Sequence, residues 1–247
     1  MTNALRVSVV IPVYEEGEGI VAVLDRILEA VHLPCEILVV YDDPNDSTLP
    51  YLEKYAEFEP RVVPTLNNHG TGAARAIRTG IEQARAPVAV VTMADGSDDP
   101  EQIDRLCNLV DRGVVIAAAS RYMSGGQQIG GPPLKSLLSH MAGISLYWIG
   151  RVGTRDATNS FKAYSTRFVS DVGIDSDSGF ALGIELVAKA RRLRRPVAEI
   201  PTIWLERATG RSSFKMLPWV PRYLEWYRFA FGPRLTLEQL RARRRIT

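Results

Sequence analysis

Val7–Pro12 (VSVVIP) is apolar almost throughout, and this run constrains the fold more than any other stretch of the chain. A strand with one wet face alternates apolar and polar residues, whereas an unbroken apolar run suits a strand covered on both faces. Residues 19–31 follow, with Ile20, Leu24, Ile27, Leu28 and Val31 at helical spacing. The pair of signals then repeats. Apolar runs at 36–40, 61–65, 88–93 and 114–120 are interleaved with helical stretches at 49–58, 72–84 and 100–111, the last with Pro100 near its first position. This alternation predicts an α/β fold: a Rossmann-like, mostly parallel sheet flanked by helices on both faces, with right-handed crossovers.

Beyond Arg121 the pattern loosens. Residues 124–133 read as a Gly- and Pro-rich loop, 134–150 as an apolar helix, 162–165 as a strand, 179–192 as a helix and 197–205 as a final strand. Residues 218–231 are rich in Trp, Tyr and Phe. One arginine cluster (Arg191, Arg192, Arg194, Arg195) precedes the last strand and another (Arg241, Arg243, Arg244, Arg245) closes the sequence. The chain therefore divides into a body over 1–215 and an aromatic, basic, amphipathic C-terminal helical extension and tail over 216–247. A formal net charge of +2 over 247 residues gives no reason to expect nucleic acid as a partner. Cys35 and Cys107 are too few for a disulfide framework and read as free thiols of a reducing compartment. No window approaches about 18 uninterrupted apolar residues, and the first residues lack the pattern of a signal peptide. The expectation is a cytoplasmic protein.

In an open parallel sheet, ligands bind beyond the carboxyl ends of the strands. The predicted strands are followed there by Pro12, Tyr14, Glu15 and Glu16; by Asp42, Asp43 and Asp46; by Asp95, Asp98 and Asp99; and by Arg121 and Tyr122. Like charges gathered on one rim are costly unless a cation or a raised pKa relieves them. A divalent metal with hard oxygen ligands, bound partly through substrate phosphate, is the economical relief. The alternative is that these carboxylates serve turns and helix starts. Asn68-His69-Gly70-Thr71-Gly72 could offer backbone N–H groups to phosphate, or could simply start a helix.

Taken in order, the motifs resemble family 2 glycosyltransferases of the GT-A fold, in the dolichyl-phosphate mannosyltransferase branch. The resemblance runs from about Val7 to Lys215. IPVYEE is similar to IPTYNE, YDDPNDST to VDDGSxDGT, NNHGTGAARAIRTGI to NxGLGxAxxxGI, ASRYMSGG to GSRYxxGG, RDATNSFKAY to RDxTSGFRAY and GFALGIEL to GFxFxIEL. The resemblance implies that Pro12, Tyr14 and Glu16 border the nucleotide base and ribose, and that Asp42 or Asp43 contacts the base. It implies that Arg121 touches phosphate, and that Arg207 and Arg211 grip phosphate in the segment 201–214. One departure stands out. The family's DxD metal motif falls on Met93-Ala94-Asp95, so a thioether replaces the first carboxylate, and sulfur is a poor ligand for Mg²⁺ or Mn²⁺. A retained divalent cation would then rest on Asp95, with Ser97 or Asp98.

The same resemblance implies an inverting transfer of a hexose from a GDP- or UDP-linked sugar. A polyprenyl phosphate acceptor brings an oxygen that is already anionic. A hydroxyl acceptor would need a base, for which Asp156 is the candidate. Residues 134–149 and 216–231 could lie on a bilayer surface, placing the protein at the inner face of the cell membrane, or could pack on the domain or on a second copy of the chain. A soluble acceptor, or a non-catalytic nucleotide-sugar-binding protein with a degraded metal motif, are the alternatives.

Overall fold

The computed structural model describes residues 4–131, 133–177, 179, 181–206 and 220–244. Seven strands form the main sheet in the order β3 (Val62–Leu66), β2 (Cys35–Tyr41), β1 (Val7–Pro12), β4 (Val88–Val91), β7 (Lys162–Ser165), β5 (Ile116–Ser120) and β8 (Val197–Pro201). All neighbours pair in parallel except β7, which runs antiparallel to both β4 and β5. The mostly parallel sheet expected from the sequence is therefore present, with one reversed strand inside it.

Strand period explains the layers. Val10, Leu38, Val40, Ala89, Val91 and Ile116 point into one core. Their chain neighbours Val9, Ile11, Ile37, Val39, Val90 and Ala117 point into the other, as a period of two requires. The first core is covered by α3 (Ala73–Gln83), α6 (Thr166–Val172) and α7 (Ala181–Arg192), and the second by α1 (Gly19–Ala30), α2 (Leu49–Phe58) and α4 (Gln102–Asp111). Helix α3 lies so close to β1 that a Cβ on Gly80 would stand 2.3 Å from Val10 Cγ1, so the glycine sets the depth of that contact.

The expected final strand at 197–205 is broken in two. Pro201 ends β8, and Thr202 then donates to the Ser120 carbonyl and accepts from Gln127 N. The chain switches there to β9 (Ile203–Leu205), which pairs with β6 (Gln127–Ile129) inside the stretch expected to be a loop. Two further helices are present, α6 in a stretch with no helical expectation and the other within the expected helical extension and tail. Ser165 caps α6 by accepting from Phe168 N, and Gly173 closes it at φ +62°. In α9 (Leu237–Arg244), Thr236 and Gln239 exchange backbone-to-side-chain hydrogen bonds of 3.2 and 2.9 Å, a capping box.

Past residue 219, α8 (Val220–Ala230) turns Tyr223, Trp226 and Tyr227 onto the first core, and Ala230, Leu235 and Leu240 are buried in it. The described part of the C-terminal extension thus shares a core with the sheet. Helix α5 (Pro133–Trp148) behaves differently. Leu137, Leu138, Met141 and Trp148 stay exposed, while Leu146 is buried. Among the described residues no helix is long and apolar enough to cross a membrane. Cys35 and Cys107 are buried free thiols.

Candidate active site

Strand direction assembles the rim. Because β1, β2, β4 and β5 are parallel, Tyr14, Asp42, Asp95 and Arg121 all follow strand ends at one edge of the sheet. Because β7 is antiparallel, it starts where its neighbours finish, so the segment leading into it, with Asp156 and Asn159, arrives at that same edge. Asn159 is fastened there by its Nδ2 donating to the Ala119 carbonyl at 2.9 Å.

Arg121 and Asp156 form the centre. Asp156 is fully buried, and both of its oxygens accept from Arg121: Nε at 2.8 Å and the backbone N at 3.0 Å on Oδ2, and Nη2 at 2.9 Å on Oδ1. Burial would lower the Arg121 pKa, but the hydrogen bonds and charge of Asp156 outweigh it and hold the guanidinium above its ordinary value. Nη1 reaches Gln128 Oε1 at 3.4 Å, and the Tyr122 ring lies 4.9 Å from Cζ. The arginine is thus fixed in a bidentate fork, with a small exposed share. Thr154 Oγ1 accepts from Asp156 N. Arg155 and Thr154 are in turn held by Glu199 of β8.

Beneath this pair lies Lys162, fully buried at the start of β7, with Nζ donating to the carbonyls of Ala157 and Asn159. Burial pulls its ammonium down to about 7, Asp156 working in the opposite sense. Lys162 and Gln128 were not singled out from sequence. Lys162 sits inside a resembling motif and Gln128 inside the expected loop, and nothing in periodicity marks either.

The loop after β4 is organised by its own carboxylates. Asp98 is buried, and its Oδ2 accepts from Thr92 Oγ1 at 3.0 Å and from Met93 N at 3.2 Å, so it closes the end of the strand. Burial, reinforced by Asp95, pushes the Asp98 carboxyl up to about 6. Ser97 is buried, its carbonyl accepting from Leu205 N of β9. Asp95 is half-buried, with Ser97 N donating to Oδ1. Arg26 of α1 donates to the Gly96 carbonyl and pins the loop from outside. Among the described residues no group of three or more His, Cys, Asp or Glu could hold a metal by itself. A cation of the Mg²⁺ type can instead take one or two carboxylates and complete its shell with substrate phosphate and water. Asp95 fits that smaller donor set.

On the far side of β1, Asp42 accepts from Asn67 Nδ2 and from Gly72 N, each at 2.7 Å. The amide of Gly72 at the start of α3 is therefore taken by the chain's own carboxylate. Asp43 makes a local turn with Asn45. Buried Asp46 accepts from Glu15 N, and Thr48 Oγ1 accepts from Glu16 N. These bonds hold the loop after β1 with Tyr14 67% exposed beside buried Pro12. Pro12, Tyr14, Glu16, Asp42, Asp43, Asp95, Ser97, Asp98, Arg121 and Asp156 thus all lie along one edge. Arg207 and Arg211 fall outside the described residues.

Residues 8–172 match the family model described as Glycosyl transferase family 2. A polyprenol monophosphomannose synthase of Mycolicibacterium smegmatis is 31% identical, over 84% of this chain and 80% of its own length. An undecaprenyl-phosphate mannosyltransferase of Micrococcus luteus is 28% identical, over 85% and 87%. Among solved structures, a Mycobacterium tuberculosis glucosyl-3-phosphoglycerate synthase with Mn²⁺, UDP and glucosyl-3-phosphoglycerate superposes with a TM-score of 0.66 at 16% identity, covering 93% of this chain and 81% of its own. A Pyrobaculum calidifontis mannosyltransferase with GDP-Man and Mn²⁺ gives 0.63 at 18%, covering 98% and 70%. At these identities the two structures speak for the fold.

Two measurements check the centre. Asp156→Ala strands the Arg121 guanidinium without its carboxylate, and breaking a buried pair from one side costs about 3–5 kcal/mol. Urea denaturation should show a loss of that size, and a loss below about 1 kcal/mol would contradict the buried pairing. For Lys162 the folded-state pKa lies below the ordinary 10.5. Between about pH 7 and 10 the unfolded chain therefore binds more protons, and stability rises with pH across that window. The wild type should gain stability over Lys162→Met as pH rises from about 7 to 9, whereas parallel pH profiles for the two proteins would refute the lowered value.

Proposed function

The chain belongs to glycosyl transferase family 2 and is a glycosyltransferase with the GT-A fold, and we propose that it moves a hexose from a nucleotide-sugar to a polyprenyl phosphate. The observation that carries the acceptor class is Asp156. It is the candidate base on this rim, and it is fully buried with both oxygens on Arg121. It serves the reaction by positioning Arg121, not by taking a proton. A hydroxyl acceptor would need that proton removed, whereas a phosphate oxygen is anionic at neutral pH and needs no base. The two curated relatives described above, each aligned over most of the chain, carry names that describe transfer to a polyprenyl phosphate carrier, which supports the same reading.

In this reading Tyr14 and Pro12 border the base, Glu16 the ribose, and Asp42 and Asp43 keep the base end of the cleft in shape. Arg121 faces the phosphates with a fixed guanidinium, so little reorganisation is left for the moment of transfer. Arg207 and Arg211 add positive charge to the phosphates. Asp95 would hold Mg²⁺ or Mn²⁺ together with the donor diphosphate, while Ser97 and Asp98 shape the loop that presents it. Such a cation, when bound, supplies positive charge against the departing diphosphate. Met93 then costs little, because most of the cation's shell comes from the donor.

Helix α5 supports a membrane-bound acceptor. Its exposed Leu138 and Met141 adjoin the rim, since His140 stacks on Tyr122 with centroids 4.6 Å apart and Ser139 bonds Thr158 at 2.7 Å. An apolar helix face beside the phosphate site would let the protein work at the inner membrane surface.

The test is transfer itself. Purified protein incubated with GDP-mannose or UDP-glucose, undecaprenyl phosphate and Mn²⁺ should yield a lipid-linked sugar. Chelation should abolish the product, and Asp95→Ala should lower the rate by on the order of a hundredfold. Transfer to a soluble hydroxyl acceptor with none to the lipid phosphate would overturn the proposal, and an unchanged rate in Asp95→Ala would overturn the role of that carboxylate.

A further inference from the structure

Arg192 ends α7 a few residues before β8 begins at Val197. Strand β8 runs parallel to β5, with Ile116 beside Val197, so Arg192 sits at the amino-terminal edge of the sheet. That is the end opposite Arg121 and the rim. Arg192 is 2% exposed. Its guanidinium donates from Nε to the Pro233 carbonyl and from Nη1 to the Phe229 carbonyl at 3.1 Å, with the Phe229 ring 4.4 Å from Cζ. Gly232 permits this, because a Cβ there would lie 2.6 Å from Arg192 Cζ.

Two carbonyls at the end of α8 do not neutralise a formal charge. Among the described residues no carboxylate pairs with Arg192 and none accepts from its Nη2. Burial, with the fields of Arg243 and Arg191, pulls its pKa below the ordinary value. The side chain lines an open cavity of about 540 Å³ whose other charged residues are Arg228, Arg243 and Glu225. Glu225 is turned to Arg222, 3.4 Å away. Arg228 is exposed and has no carboxylate partner among the described residues. A buried cation unmatched by any acid among the described residues, facing a cavity edged by two more arginines, is electrostatically incomplete.

We propose that this cavity is an anion site, separate from the catalytic rim, that takes a phosphate group. Arg192 forms its floor, and Arg228 and Arg243 its walls. Arginine's planar donors suit a tetrahedral oxyanion, and the planar fork of Arg192 is already held in place by Phe229 and Gly232. Free phosphate or phosphoester metabolites and lipid headgroups share this chemistry.

Full-length wild type is compared with Arg228→Gln/Arg243→Gln and with a control of equal charge, Arg112→Gln/Arg167→Gln, whose arginines lie outside the cavity. One arm follows the melting temperature against inorganic phosphate. The other follows sedimentation with phosphatidylglycerol vesicles against phosphatidylcholine vesicles. A ligand that binds the folded state raises the melting temperature saturably. The midpoint should shift at least about tenfold in the cavity variant and stay unchanged in the control. A lipid headgroup as the source would show instead as phosphatidylglycerol binding lost in the cavity variant and kept in the control. Equal responses in all three proteins, or no response to either probe, would overturn the site.

Discussion

A guanidinium taken from water under the edge of a sheet is costly until an anion answers it. Here Arg121 is answered by Asp156, and much of the surrounding structure serves that pairing. Strand β7 runs against its neighbours, so its leading segment meets the strand ends instead of leaving from the opposite edge. Asn159, Thr154 and Glu199 fasten that segment to β5 and β8. Lys162 ties its carbonyls from below. In a sheet without this reversal, Arg121 would still follow β5 but would have no buried partner.

The pairing divides the chemistry of the rim. Asp156 is fully buried with both oxygens on Arg121, which argues for an acceptor that arrives charged. The remaining carboxylates are mostly engaged in shaping their own loops: Asp42 on α3, Asp46 on the loop after β1, Asp98 on the end of β4. Gathering acids on one edge therefore costs less than their number suggests, because each of these is met by hydrogen-bond donors. Asp95 is the acidic side chain proposed to share a cation with a bound diphosphate, an arrangement that would let a chain with Met93 in the metal motif keep the motif's purpose.

Strands β1, β2, β4 and β5 could be read from the sequence because burial on both faces leaves a continuous apolar run, and the edge strand β3 from its place in the alternation. Strand direction could not. Lys162–Ser165 was expected as a strand, but four residues carry no mark of whether they run with or against their neighbours, and the Arg121–Asp156 pair depends on that. Gln127–Ile129 and Ile203–Leu205 are three residues each, too short for a period to register, and Thr202 joins the two sheets through backbone groups alone. Helix α9 did leave a signal, the Thr236 to Gln239 spacing of a capping box, which the run of arginines around it obscured. The aromatic residues of α8 looked equally suited to a membrane and to a core. Packing on α7, with Lys189 Nζ 5.3 Å from the Trp226 ring, decides for the core, and α5 keeps the exposed apolar face.

An experimental structure with a nucleoside diphosphate and Mn²⁺ bears most directly on this rim. The diphosphate should lie within hydrogen-bonding reach of Arg121, with the cation between its oxygens and Asp95, and Asp156 still paired to the arginine. A diphosphate resting instead on the 68–72 turn at the start of α3, with Arg121 untouched, would show that the buried pair is a structural strut and that the nucleotide is bound by other means.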